Sequence, residues 1–301
     1  MRLTDTIEDA LAGRGLPTLP VPLAAETIDS HTHLDTVREF TTLVAAQSLA
    51  AAAKVGVTRI VQIGCDVDGS RFAERLARGR TGVVAAVAIH PNDAVRIARR
   101  SRQDLAEALR VVDELAGAGP HVRAIGETGI DHHETPEGPD WDLQREVFAA
   151  HIRMAHEHGL TLAIHDRDGH DDVLAVLDEV GWPDRVIMHC FSGDEDLART
   201  CVEHGAWLSF PGVLTFRNAD NLRRALAVTP RERILVETDA PFLTPTPCRG
   251  KRNGPYLLPH TVRFLADQLG WDERECCEQL RLNTFEAYGG PWPAHGEDDD
   301  V

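Results

Sequence analysis

Eight times along this chain a short apolar, β-branched run gives way to polar or glycine residues. The runs occupy 27–33, 59–64, 83–90, 122–127, 160–165, 185–189, 206–210 and 234–239. Each gap between them is long enough for a helix and two loops. Several gaps carry a helical period: within 140–158, Leu143, Val147, Ala150 and Met154 fall at i, i+4, i+7 and i+11, with Gly159 placed to end the helix. Val262, Phe264, Leu265 and Leu269 form another apolar face. Strand and helix alternating eight times predict an α/β fold of the (β/α)8 TIM-barrel type. A doubly wound open sheet is the competing arrangement, but it usually brings a glycine-rich phosphate turn after an early strand. Here the first run ends in DSHTHLD, and neither G-x-G-x-x-G nor a P-loop motif occurs.

A length of 301 residues suits one such barrel, with 43% hydrophobic residues to fill it. The expected division is an N-terminal extension over 1–25, punctuated by Pro17, Pro20 and Pro22 with a short helix up to Ala12. A single barrel domain over 26–290 and a disordered acidic tail over 291–301 follow. Acidic residues outnumber basic ones 48 to 31, for a net charge of −17, and Glu297, Asp298, Asp299 and Asp300 supply four of those charges. An acidic body argues against broad nonspecific binding along duplex DNA, though not against a local pocket for one strand end. No apolar stretch approaches the ~20 residues of a membrane span, and the first thirty residues hold no continuous apolar run that would read as a secretory signal. Six cysteines without a C-x-x-C pair fit a reduced, cytoplasmic protein. No protein partner is implied, and a monomer is expected.

The chemistry lies where the runs end. His31 and His33, then His90, Glu127, His165, His189 and Asp239 stand at or beside successive strand ends. In a barrel the C-terminal strand ends converge on one mouth. His31 and His33 are two residues apart, so on a strand they share a face and offer paired imidazoles. Glu127, between two glycines in AIGETGID, has two oxygens with which to bridge two cations. Four of these histidines, His31, His33, His165 and His189, with the two carboxylates at one mouth suit two divalent ions about 3.5–4 Å apart.

At this point the chain resembles the TatD family of metal-dependent deoxyribonucleases, within the amidohydrolase-like barrel hydrolases. The resemblance rests on DSHTHLD, AIHPND, AIGETGID, AIHDRD, MHCFSG, LVETDAPFLTP and RGKRNGP, in that order over residues 29–254, with LNTFEAYG in the last helix. It implies one cation held by His31, His33, Glu127 and Asp239, and a second held by Glu127, His165 and His189. Glu127 would be the bridge in place of the carbamylated lysine of other relatives, and no lysine stands at a strand end here. The implied reaction is hydrolysis of a phosphodiester at a nucleic-acid end by a 3′→5′ exodeoxyribonuclease, with single-stranded DNA as partner. Asp239 and Glu127 are the implied catalytic pair, Asp239 as the proton acceptor. Imidazole ligands favour Zn, Mn, Co or Fe, whereas the resemblance brings Mg. The alternatives are a hydrolase of another bond at the same site (a D-aminoacyl-tRNA ester, a lactone or an amide) and a non-enzymatic metal-dependent scaffold. The chain departs from the family pattern at its two ends and at His132 and His133, where relatives often carry an aromatic residue.

Further substrate contacts are expected from His90, from Arg167 as a bidentate phosphate partner, and from Arg249, Lys251, Arg252 and Asn253 in the loop after the eighth strand. Asn92 and Phe191 are expected to line the same pocket, and Asp131 to orient a ligand histidine. Cys190, on a strand, is expected to point away from the mouth into the core. Cys276 and Cys277 read as structural. His151, His156 and His158 read as surface residues of one helix.

Overall fold

The computed structural model describes residues 6–135 and 138–295. All eight expected strands form: β1 (Thr27–Thr32), β2 (Val57–Ile63), β3 (Val83–Val87), β4 (Val122–Asp131), β5 (Thr161–Arg167), β6 (Val186–Met188), β7 (Trp207–Phe210) and β8 (Ile234–Val236). They lie parallel in sequence order. Thr32 bridges Ala240, and the backbone N–H groups of His33 and Asp239 donate to Ala240 and His31 at 3.0 Å, so the end of the last strand is joined to the first. This is the (β/α)8 barrel.

Alternation along the strands divides the core in two. Ile28, Val61, Ile63, Val84, Ala86, Ala124, Ile187 and Leu235 fill the barrel interior, while Ile60, Ala85, Val87, Ile125, Leu162, Ile164, Leu208 and Val236 pack outward against the helices. Phe285, Tyr288 and Trp292 join the inner cluster from the C-terminal segment. That finding corrects the expected tail. Trp292 is only 6% exposed and meets Phe285 edge to face, Arg59 Nε donates to its carbonyl, and His295 N donates to Thr58 O. Residues 291–295 therefore pack, because one large aromatic ring buries more than the flanking prolines prevent. The acidic run at 297–300 lies outside the described residues. The N-terminal segment carries its short helix (Ile7–Ala12), and Leu23 packs into the outer core. Among the described residues no helix is long and apolar enough to cross a membrane.

Two strands are irregular where chemistry is expected. Between the pairs Asp29↔Ile60 and Thr32↔Gln62, two residues of β1 stand opposite one of β2. Between Ile125↔Leu162 and Thr128↔Ile164, β4 likewise carries one extra residue against β5. Such bulges re-aim a side chain, and His31 and Glu127 sit within them. Close approach at this end also needs Gly129, whose φ is +144° and where a Cβ would stand 2.0 Å from the His165 carbonyl oxygen.

Candidate metal centre

The strand ends open into a cavity of about 620 Å³ whose walls include His33, Cys65, His90, Glu127, Asp131, His165, Arg167, His189, Asp239 and Phe242. Glu127 stands at its centre, and its two oxygens face different partners. Oε2 lies 3.4 Å from His31 Nε2 and 3.6 Å from His33 Nε2. Oε1 lies 2.6 Å from His165 Nδ1 and 3.1 Å from His189 Nε2. Asp239 Oδ1 closes the first group, 3.3 Å from His33 Nε2 and 3.8 Å from His31 Nε2. Asp239 has a φ of +51°, which an aspartate tolerates better than most residues.

These spacings fit a cation. Donors about 2.0–2.1 Å from a tetrahedral ion are separated by roughly 3.4 Å. His31 Nε2 and His33 Nε2 are 3.2 Å apart, and both face the two carboxylate oxygens just named. Three of these imidazole rings also turn their other nitrogens outward. His165 Nε2 meets Asp131 Oδ2 at 3.2 Å, His189 Nδ1 meets Glu237 Oε1 at 3.2 Å, and His33 Nδ1 lies 3.7 Å from Cys65 Sγ. Such outer partners fix the tautomer of a ligand histidine. His31 Nδ1 has no hydrogen-bond partner among the described residues.

His90 differs from the rest. Its Nε2 faces Glu127 Oε1 at 3.5 Å, and the geometry alone groups His90, Glu127 and His165 as donors. But the Asn92 N–H donates to His90 Nδ1 at 3.2 Å. A neutral ring that accepts at Nδ1 carries its proton on Nε2, so His90 presents a hydrogen-bond donor to the cavity rather than a free lone pair.

The electrostatics follow from a buried carboxylate among imidazoles. Burial opposes ionisation of Glu127, yet His189, His165 and His31 together hold its pKa well below the usual range. Burial, with His189 stacked on it at 3.6 Å, pushes His31 down to about 3. His165 is raised to about 9, because its bonds to Asp131 and Glu127 outweigh desolvation. Desolvation is likewise overcome at His189 by Glu237 and Glu127, which raise it well above the ordinary value.

The structure brings His31, His33, Glu127, His165, His189 and Asp239 together as the sequence predicts. Arg167 and Asn92 line the cavity, and Asn92 donates to Asp131 Oδ2 at 2.8 Å. Four readings are corrected. Asn253 is buried and its amide donates to the carbonyls of Thr238 and Phe242, so it braces the loop instead of meeting substrate. Phe191 is buried against Phe210. Cys190 lies beyond β6 with a φ of +46° and lines the cavity, since the strand ends before it and alternation no longer applies. His151 is fully buried, accepting from Ile89 N–H and paired with Thr128 Oγ1. Arg249 and Arg252 are exposed, lying over Phe216 and Phe40, and Lys251 is exposed beside them.

Two contributing residues escaped the strand-end reading. Glu237 shares the strand parity of Asp239 in LVETDAP, a signal that was present. Asp29 is buried in β1, accepts from Thr238 N and Oγ1 at 2.9 and 2.5 Å, and is pushed by burial up to about 8. It clasps the first strand to the loop that carries Asp239.

Known proteins similar to this chain are TatD-related metal-dependent hydrolases. The model of the TatD-related DNases matches residues 28–289. An uncharacterized metal-dependent hydrolase TatD of Mycobacterium tuberculosis is 43% identical over 88% of this chain and 98% of its own length. A protein of Escherichia coli named 3′-5′ ssDNA/RNA exonuclease TatD is 33% identical over 80% of this chain and 91% of its own. Among solved structures, the TatD homologue YjjV of Escherichia coli superposes with a TM-score of 0.77 at 24% identity, covering 88% and 98% of the two chains, which supports the fold.

Proposed function

The chain belongs to the family of TatD-related DNases, the metal-dependent hydrolases, and on that premise we propose that it is a 3′→5′ exonuclease of single-stranded nucleic-acid ends. The observation that carries the reading is the division of Glu127, with Oε2 turned to His31 and His33 and Oε1 to His165 and His189. His31, His33, Glu127 and Asp239 would hold one divalent cation, and Glu127, His165 and His189 the other. When bound, the cations supply Lewis acidity toward a phosphoryl oxygen and lower the pKa of a water.

The chain's own residues do the rest. Asp239 is 14% exposed in its side chain against 7% for Glu127, so it is the more accessible of the two carboxylates. It accepts the proton of the attacking water and returns it to the departing 3′ oxygen. His90 Nε2–H donates to a non-bridging phosphate oxygen. Arg167, exposed at the rim with Glu134 Oε1 at 3.4 Å, binds the neighbouring phosphate. The strand polarity is that of the Escherichia coli relative's name.

The test is a metal-replete assay on a 5′-labelled single-stranded oligonucleotide, with Glu127→Ala alongside and metal content measured for both. A ladder shortened from the 3′ end, absent in the variant, is expected. Intact DNA after incubation with wild-type protein that carries two cations would overturn the reading.

A further inference from the structure

We infer that Phe40 and Phe242 form a stacking platform for unpaired nucleobases at the cavity rim, so that this enzyme selects single strands by base stacking more than by charge. The inference rests on the nuclease reading and deepens it.

Phe242 follows Asp239 by three residues, lines the catalytic cavity, and is nevertheless 45% exposed. Phe40, from the helix Leu34–Thr41 after β1, is also 45% exposed. Their rings meet edge to face, with centroids 6.0 Å apart and planes at 70°. Isolated exposed apolar side chains are ordinary, but two aromatic rings in contact at the lip of a polar cavity form a surface continuous with the site. The surface is also held rigid. Phe242 N–H donates to Asp239 O at 2.9 Å, and its carbonyl accepts from the buried Asn253 amide at 2.7 Å. The guanidinium of Arg252 lies 4.3 Å over the Phe40 ring, which aligns an exposed cation with the aromatic pair. Flat apolar faces beside a guanidinium match a base and its own phosphate.

Charge makes the same point. With a net charge of −17, the chain has little long-range attraction for a polyanion. Stacking needs no such attraction, tolerates any base, and is open only to bases that are not paired.

The experiment compares binding of two fluorescein-labelled oligothymidylates to the metal-loaded protein by anisotropy. Both carry phosphorothioate linkages at the 3′ end to block cleavage, and one is abasic at the three residues nearest that end. Wild type is expected to bind the base-bearing strand at least about tenfold more tightly, with a ratio that holds between low and moderate salt. Phe40→Ala/Phe242→Ala should bind both strands alike, at the level wild type shows for the abasic strand, and Phe40→Trp/Phe242→Trp should restore the preference. Single Phe40→Ala, at a half-exposed position, guards against a folding defect in the double variant and should lose part of the ratio. An alanine variant that keeps the wild-type ratio, or a ratio that vanishes with salt, overturns the platform. Cleavage of an unmodified strand is followed in parallel. Wild type that shortens it yet binds the abasic strand as tightly as the base-bearing one overturns the platform alone, and wild type that neither binds nor shortens it overturns the nuclease reading as well.

Discussion

His189 is set by a carboxylate two residues before Asp239. Glu237 Oε1 faces His189 Nδ1 at 3.2 Å and also accepts from Cys190 N–H at 2.7 Å, which leaves Nε2 to face Glu127. Asp131 does the same for His165. These partners decide which nitrogen is free to bind, so removing their charge should act on metal affinity before it acts on fold. Glu237→Gln keeps the size and one acceptor oxygen, and it should weaken cation binding by about 10–100-fold. Competition against a chelating indicator measures this. Unchanged affinity would show that Glu237 only braces the Cys190 turn. His90 illustrates the converse: its Nδ1 accepts from Asn92 N–H, so a neutral ring turns an N–H to the cavity despite its ligand-like position.

At the scale of elements, alternation explains the barrel walls but not the centre of the site. His31 and Glu127 both lie at points where one strand carries an extra residue, and His33 lies beyond the end of β1. Two residues apart on a regular strand predicts a shared face, and the pair does converge, but a bulge and a strand end bring it about. The C-terminal segment carries the second lesson. Trp292 closes the barrel floor with Phe285 and Tyr288, at centroid distances of 5.1 and 6.4 Å. Trp292→Ala should therefore destabilise the protein by about 3 kcal/mol in urea unfolding. A change under about 0.5 kcal/mol would mean that the segment is a surface appendage.

Across the whole molecule, stability is coupled to pH through groups far from solvent. His151 joins the helix Pro139–His158 to the ends of β3 and β4 by accepting from Ile89 N–H at 3.2 Å and pairing with Thr128 Oγ1 at 2.9 Å. Burial lowers its pKa to about 4. The unfolded chain takes up this proton near pH 6.5 and the folded chain only near 4, so the stability present above 6.5 is lost as pH falls between those values. The loss is at most about 1.4 kcal/mol per pH unit. Between pH 7 and 5, wild type should lose up to about 2 kcal/mol more than His151→Gln in matched urea titrations. Equal losses would show that His151 is accessible to protons in the folded state.

The strand count, the barrel and the six residues of the candidate metal site were legible in the sequence, because local patterns record them. Apolar runs mark strands, and a histidine or carboxylate at the end of six of the eight runs marks one mouth. The family motifs added the division of the six between two cations. Tertiary structure alone decided the rest. It buried His151 and Trp292, whose neighbours come from distant segments, and turned Cys190 into the cavity, where a short strand had already ended. It drew Asn253 inward to two carbonyls and left Phe40 and Phe242 together at the rim. Periodicity reports which face of an element is apolar. Whether a given side chain meets solvent, a ligand or another ring depends on what other elements place opposite it, and no local pattern carries that information.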